Sequence, residues 1–231
     1  MIRYFQTRNV CPRCALIGLL CLGTIEPSRS DEYSAPSAAE ALARLKRGNE
    51  RFVSGKVRHG SLSEELRNSL VDGQHPFAVI VGCSDSRVPT ELVFDQSFGD
   101  LFVIRNAGNI IATDVLGSIE YAIAHLGCNL VLVMGHESCG AVTAALMKED
   151  AREKEPLEVQ DVLQEIVVGL DSVELPVSER ERVPAGVEAN VRWSVKQLAD
   201  LMHERRPEPI DRVRMAGAVY ELHTGKVRFL D

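Results

Sequence analysis

The sequence is poor in several features that mark particular classes of protein. Its 231 residues carry 26 Lys and Arg against 33 Asp and Glu, a formal net charge of −7, and no block of basic residues. Binding to nucleic acid begins with a Lys and Arg footprint, so this balance argues against a nucleic-acid partner. Aromatic residues are scarce, and the single tryptophan, Trp193, is interpreted as a core anchor.

Cysteine and long apolar runs are also scarce, which narrows the class of protein further. Six cysteines in this length are too few and too scattered for a disulfide framework. The apolar run ALIGLLCLG at residues 15–23 is too short to span a bilayer. We therefore expect no stable membrane anchor, and a globular chain long enough to bury a core.

The first 30 residues have the charged, apolar and polar order of a secretory signal peptide. MIRYFQTRNVCPR carries three arginines and no acid, and the apolar run is followed by TIEPSRSDEYSAPS. We expect a leader over residues 1–30, a single domain over 31–231, and a periplasmic or secreted protein. No clean A-x-A cleavage site is visible, so a cytoplasmic protein with a disordered N-terminal extension is the alternative. The C-x-x-C of Cys11 and Cys14 is interpreted as part of this leader, because no strand precedes it.

Buried strands alternate with helices in the remaining sequence. Continuous β-branched runs, typical of strands buried on both faces, are PFAVIVGC (76–83), LFVIRNAGN (101–109) and NLVLVMGH (129–136). Helical patterns cover residues 37–55, 61–73, 113–127, 139–150 and 187–202, with Ser37 and Thr113 as N-caps. We predict an α/β fold: a mainly parallel central β-sheet flanked by helices, with a C-terminal β-hairpin over 216–231.

Candidate metal ligands stand at the carboxyl ends of two predicted strands. Cys83 ends one strand, His136 ends another, and Cys139 follows as an H-x-x-C. Ligands bind at this edge of a parallel sheet, and two thiolates with one imidazole suit Zn²⁺. Three protein ligands would leave an open position, the mark of a catalytic site. Taken alone, Cys83 would be a packing residue, as Cys128 is interpreted to be.

Asp85 and Arg87 follow Cys83 and are two residues apart. In an extended segment, both side chains would therefore lie on the same side. Arg87 would keep Asp85 ionised through a charge-assisted pair, and Asp85 could accept the proton of a zinc-bound hydroxide in a hydrogen bond and so aim the lone pair of that hydroxide. A purely structural Asp–Arg pair is the alternative. A cysteine-dependent phosphatase fits less well, because only three residues separate Cys83 from Arg87.

Three segments together resemble the β-class carbonic anhydrases: GCSDSRVP (82–89), FVIRNAGN (102–109) and GHESCGAV (135–142). The resemblance runs from about Ser37 to the C-terminal hairpin. It implies one Zn²⁺ per subunit on Cys83, His136 and Cys139, with Asp85–Arg87 as the adjoining dyad. It also implies reversible hydration of CO₂ to bicarbonate and a proton, a lyase activity, with Asp85 as a possible fourth ligand in a closed state.

The resemblance also implies a substrate pocket at a dimer interface, in a homodimer or a multiple of dimers. Gln74 matches the family's substrate-contacting glutamine, Phe102 and Tyr121 its aromatic pocket residues, and Gly140 a backbone N–H donor near the substrate. One subgroup carries a tryptophan, linked to an inhibitory bicarbonate site, where this chain has Ile80, so that regulation is not predicted. His75 and His59 are candidate proton shuttles, although surface histidines are the simpler interpretation.

Three other functions stay open on the sequence. The same framework could serve a zinc hydrolase acting on carbonyl sulfide or carbon disulfide, which are similarly small and linear. A non-catalytic, zinc-stabilised binding domain would need a fourth protein ligand, and Asp85 is the nearby candidate. A thiol redox enzyme or phosphatase is the weakest of the three.

Overall fold

The structure is a computed structural model that describes residues 34–58, 63–205 and 212–230. The predicted leader over residues 1–30 and the candidate shuttle His59 lie outside these ranges. In the described part of the chain, no helix is both long and apolar enough to cross a membrane.

One five-stranded sheet organises the described residues, with the strand order β2-β1-β3-β4-β5. The strands β1 to β4 are parallel to one another, and β5 pairs antiparallel with β4 as the predicted C-terminal hairpin. The predicted fold class is confirmed. The strands are β1 (Ala78–Cys83), β2 (Leu101–Asn106), β3 (Leu130–His136), β4 (Arg214–Tyr220) and β5 (Val227–Leu230).

Helices connect and cover these strands. The α-helices are α1 (Ala38–Val53), α2 (Glu64–Ser69), α3 (Thr90–Val93), α4 (Thr113–His125), α5 (Gly140–Ala145), α6 (Glu149–Arg152), α7 (Leu157–Leu170) and α8 (Glu179–Arg205). A short 3₁₀ turn, Ala107–Asn109, follows β2. Trp193 of α8 is half-buried against α7 at Gly169, where a Cβ would lie 2.7 Å from the tryptophan side chain.

The predicted helices are found at the predicted positions, but several of them begin or end at other residues than predicted. Ser37 caps α1 as predicted, in a capping box with Glu40. The N-cap of α4 is Ala112 and not Thr113, because the extended backbone ends one residue earlier. The helix predicted over 139–150 is two helices. Arg152 Nη1 donates to the carbonyls of Ala145 and Met147, which satisfies the acceptors that the break exposes.

The core lies on both faces of the sheet, because the strand side chains alternate. Val79, Val81, Val131 and Val133 face one cluster, which includes residues of α4, α5, α7 and α8. The opposite faces of β1 and β3 pack against α1 and α3. Both strands are buried along their whole length, as their continuous apolar runs predict.

Glycines let α8 approach the sheet closely. A Cβ at Gly135 of β3 would lie 2.6 Å from Val191 Cγ2, and one at Gly217 of β4 would lie 2.9 Å from Val191 Cγ1. Real Cβ atoms do not approach so closely, so both positions require glycine at this helix distance. Gly135 directly precedes His136, which places the middle of α8 beside the end of β3.

Asn49 joins α1 to the hairpin, and its loss is expected to destabilise the fold. This buried amide donates to the carbonyls of Val93 (3.1 Å) and Gly225 (2.9 Å) and accepts from Val227 N (2.9 Å). Asn49→Ala leaves buried groups unpaired, so we expect a loss of about 3 kcal/mol in unfolding free energy. Urea unfolding measures it, with Asn68→Ala on exposed α2 as the control. Equal midpoints for the two variants would contradict the assignment.

Candidate metal centre

The ends of β1 and β3 bring three possible metal ligands together. Cys83 is the last residue of β1, His136 is the last residue of β3, and Cys139 is the N-cap of α5. Their ligand atoms all lie within 4.8 Å of one another, and all three residues are buried. The close turn between the second and third ligands depends on Ser138, whose φ of 52° lies in the left-handed region.

The histidine ring is oriented as a metal ligand. His136 Nδ1 lies 2.8 Å from the carbonyl oxygen of Glu137, which can only accept, so Nδ1 carries the proton. Nε2 therefore presents a lone pair. Nε2 is buried and has no hydrogen-bond partner among the described residues. A buried polar atom without such a partner is costly, and a metal ion bound by the two sulfurs and Nε2 would satisfy it.

The pair of thiols already favours one negative charge, on Cys83. The pKa of Cys83 falls to about 4 despite burial, because the Cys139 thiol donates to its sulfur, and the His136 side chain and the backbone N–H groups of Gly108 and Asp85 also lie against it. The Cys139 pKa is raised, because its proton is held by the Cys83 thiolate and the site is buried. Cys128 shows the contrast: burial raises its pKa to about 11. Its Sγ donates to the Pro76 carbonyl, 3.3 Å away, as a core residue.

Asp85 and Arg87 form a rigid pair beside these ligands. Arg87 Nε and Nη2 donate to the two Asp85 carboxylate oxygens at 2.9 and 2.7 Å, and Arg87 N donates to Oδ1 at 2.9 Å. This bidentate hydrogen bonding holds the pKa of Asp85 well below its usual range. Asp85 Oδ2 lies 3.8 Å from His136 Nε2, so an ionised carboxylate borders the ligand atoms.

Arg105 is a site residue that the sequence analysis missed. It pairs with Gly82 in the β1–β2 register, and its Nε donates to the Cys83 carbonyl at 3.0 Å. Its Nη2 donates to the Asp85 carbonyl at 2.6 Å. Arg105 therefore fixes the backbone that carries a metal ligand and the dyad. A charged residue inside the apolar run LFVIRNAGN was the signal that could have found it.

The predicted substrate-contacting residues divide into two groups within one chain. Gly140 begins α5 directly after Cys139, and a Cβ built there would meet open space. Gln74 precedes β1, at the end of the strand opposite Cys83. Phe102 pairs with Val79 in the same half of the sheet, and its ring centroid lies 6.3 Å from that of the exposed Tyr121. Within one chain, the two aromatic rings lie beside each other. Neither these rings nor Gln74 lie at the strand ends that carry the metal ligands.

Comparison with known proteins agrees with this geometry. A sequence profile described as carbonic anhydrase matches residues 78–227, more than half of the chain. The solved β-carbonic anhydrase CafA of Aspergillus fumigatus is 29% identical and has a TM-score of 0.59, covering 84% of this chain and 90% of its own. The chain belongs to the β-carbonic anhydrase family.

Curated bacterial carbonic anhydrases align with segments of different length in this chain. Carbonic anhydrase 2 of Mycobacterium tuberculosis is 58% identical over 102 residues, 44% of this chain and 49% of the relative. The carbonic anhydrase of Pseudomonas aeruginosa is 35% identical over 176 residues, 72% of this chain and 79% of the relative. The match to the mycobacterial relative thus spans about half of that protein's length.

Proposed function

We propose that this β-carbonic anhydrase catalyses the reversible hydration of CO₂ to bicarbonate and a proton with one zinc ion per subunit. The observation that carries the proposal is the buried cluster of Cys83, Cys139 and His136, in which Nε2 has no hydrogen-bond partner within the described ranges. Sulfur and imidazole nitrogen are the donors that zinc accepts, and three protein ligands leave a position for water.

Each residue at the site has a distinct part in this proposal. Cys83, His136 and Cys139 would hold zinc, which when bound supplies the acidity that makes water a nucleophile near neutral pH. Asp85, ionised and held in place by Arg87, would accept a hydrogen bond from the bound water and orient it for attack. Because three hydrogen bonds from Arg87 hold this carboxylate, the arrangement favours an open site over one closed by Asp85.

The division of the substrate-contacting residues supports a homodimer. Gln74, Phe102 and Tyr121 lie away from the ligands of their own chain, so a partner subunit would have to supply them. β2 is an edge strand of the sheet, and Tyr121 is 49% exposed. We expect sedimentation equilibrium of the full chain to give a dimer or a multiple of dimers, whereas a fully active monomer would contradict this arrangement.

Activity is expected to rise with pH into the alkaline range. Two thiolates neutralise the charge of Zn²⁺, so water at this site should be less acidic than at a site with three neutral histidines. Asp85 cannot produce the rise. Because Arg87 lowers the pKa of Asp85, this carboxylate stays ionised and paired with Arg87 until the pH falls below the range in which carboxylates usually titrate.

The test of the function is stopped-flow CO₂ hydration by the zinc-loaded full chain across pH 6–9, with carbonyl sulfide assayed in parallel. We expect fast CO₂ turnover that increases with pH, and much slower turnover of carbonyl sulfide. A preference for carbonyl sulfide would favour the sulfur-substrate hydrolase. A zinc-loaded protein without either activity would favour the binding domain.

We also propose that the protein is exported to the periplasm or secreted, on the charged, apolar and polar order of residues 1–30. N-terminal sequencing of the protein recovered from its native cell fractions tests this proposal. A mature chain that begins near residue 30 in the extracytoplasmic fraction is the expected result. An intact N-terminus in the cytoplasm would contradict it.

A further inference from the structure

The 3₁₀ turn Ala107–Asn109 follows β2 and lies beside the metal ligand Cys83. The residue before the turn, Asn106, pairs with Cys83 in the β1–β2 register, and its carbonyl accepts from Ser84 N at 2.9 Å. The backbone N–H of Gly108, in the turn itself, faces the Cys83 sulfur and contributes to lowering the pKa of that thiol. Gly108 has a φ of 70°, and a Cβ there would lie 2.6 Å from Ile166 Cδ1 and 3.2 Å from Ala141 Cβ. The turn is therefore packed tightly between the metal ligands and α7, and the direction of the Gly108 N–H depends on a backbone conformation that favours glycine.

Two buried side chains of α8 hold this turn. Asn190 Nδ2 donates to the Gly108 carbonyl at 2.8 Å, and Ser194 Oγ donates to the Asn109 carbonyl at 3.3 Å. Both side chains belong to residues that are only 1% exposed. They stand four residues apart, so they lie on the same face of the helix.

Asn190 is buried with only part of its hydrogen-bonding capacity used. Its Oδ1 is buried without a hydrogen-bond partner among the described residues. Burying an amide costs free energy that its hydrogen bonds must offset. The bond that Asn190 makes goes to the residue whose N–H reaches the sulfur of Cys83.

Packing fixes where Asn190 stands. The next residue, Val191, is buried against Gly135 and Gly217, at distances that any Cβ would prevent. Gly135 directly precedes His136, so the same segment of α8 packs behind two of the three ligands. A shift of α8 would move the Gly108 carbonyl, and with it the N–H on the other side of the same residue.

We propose that Asn190 is a positioning residue of the metal centre, supported by Ser194. It acts through Gly108, whose N–H it aims at the Cys83 sulfur. This inference deepens the proposed function and rests on it only in requiring that Cys83 binds a metal. Hydrogen bonds from outside the ligand set orient ligands and tune the metal, and their loss typically costs ~10- to 100-fold in metal affinity.

The test uses Asn190→Leu, Ser194→Ala and the control Leu198→Ala, each in the full chain. Leu198 is fully buried on the same helix, so its truncation destabilises α8 without removing a bond to the turn. Zinc affinity is measured by chelator competition, and Co²⁺ replaces zinc to report the sulfur-to-cobalt charge-transfer absorption. Both measurements are independent of turnover.

We expect Asn190→Leu to bind zinc ~10- to 100-fold more weakly and to move the charge-transfer band to longer wavelength. The band moves because a sulfur without its hydrogen bond gives up an electron more readily. Ser194→Ala should shift the band in the same direction by less, and Leu198→Ala should leave it in place.

A folded Asn190→Leu protein with wild-type affinity and an unshifted band would overturn the inference. If Asn190→Leu does not fold, an unshifted band in Ser194→Ala would overturn it instead. A wild-type chain that binds neither zinc nor Co²⁺ would contradict the proposed function itself, so the two failures are distinguishable.

Discussion

Asp85→Asn is expected to keep its zinc and to lose about 100- to 10,000-fold in kcat for CO₂ hydration. Asp85 contributes an ionised carboxylate 3.8 Å from His136 Nε2, and Arg87 holds it there in a bidentate pair. Asparagine has nearly the same shape but carries no negative charge, and its NH₂ group donates where a carboxylate oxygen accepts. Zinc should stay bound because the three ligands are untouched.

The matched control for this substitution is Asp200→Asn. Asp200 is an exposed carboxylate paired with Lys196 on α8, so the charge change is identical but lies away from the site. Zinc content is measured by elemental analysis and kcat by stopped flow. A fully active Asp85→Asn protein would remove Asp85 from the mechanism and leave the Asp85–Arg87 pair a structural role.

Cys139→Ala is expected to abolish both zinc binding and activity. The loss of one of three ligands should weaken zinc binding by more than the ~100-fold that outer contacts can cost. The side chain is buried at the start of α5, where the N–H groups of Ala141 and Val142 face its sulfur. Without a metal, the buried Nε2 of His136 keeps its unsatisfied lone pair, so thermal stability should also fall.

Cys128→Ala provides a control with the same chemistry in the same sheet. Cys128 is fully buried, and its thiol pKa is raised by burial, so it is neutral and bound to a backbone carbonyl. This variant should keep stoichiometric zinc and near wild-type kcat, with a modest loss of stability. Equal zinc content in both cysteine variants would contradict the assignment of Cys139 as a ligand.

The sheet and the ligand set could be predicted because their signals are local. Continuous β-branched runs predict strands buried on both faces, and β1 and β3 are such strands. Cys83 and His136 each follow such a run directly, so their convergence at one sheet edge follows from parallel topology. α7 carried a similar local signal that was overlooked, because Leu163, Ile166, Val167 and Leu170 have helical spacing.

The supporting contacts could not be predicted because they depend on distant parts of the chain. Asn190 meets the carbonyl of a residue 82 positions earlier, and Arg105 reaches the Cys83 carbonyl across the β1–β2 register. The charge of Arg105 inside an apolar run marks it as a candidate, but the residues around Asn190 and Arg105 do not indicate which distant carbonyl each side chain contacts. The error at Thr113 is of another kind: the cap of α4 differs by a single residue, which propensity alone does not resolve.

The central claim, that zinc at this cluster is required for CO₂ hydration, is tested most directly by metal removal and return. The full chain is stripped with a chelator, and CO₂ hydration is followed by stopped flow at pH 8–9 while zinc is added back. The account predicts loss of activity on stripping and a linear recovery that ends at one zinc per chain. Activity that survives stripping, or zinc binding at one equivalent without recovery of turnover, would contradict it.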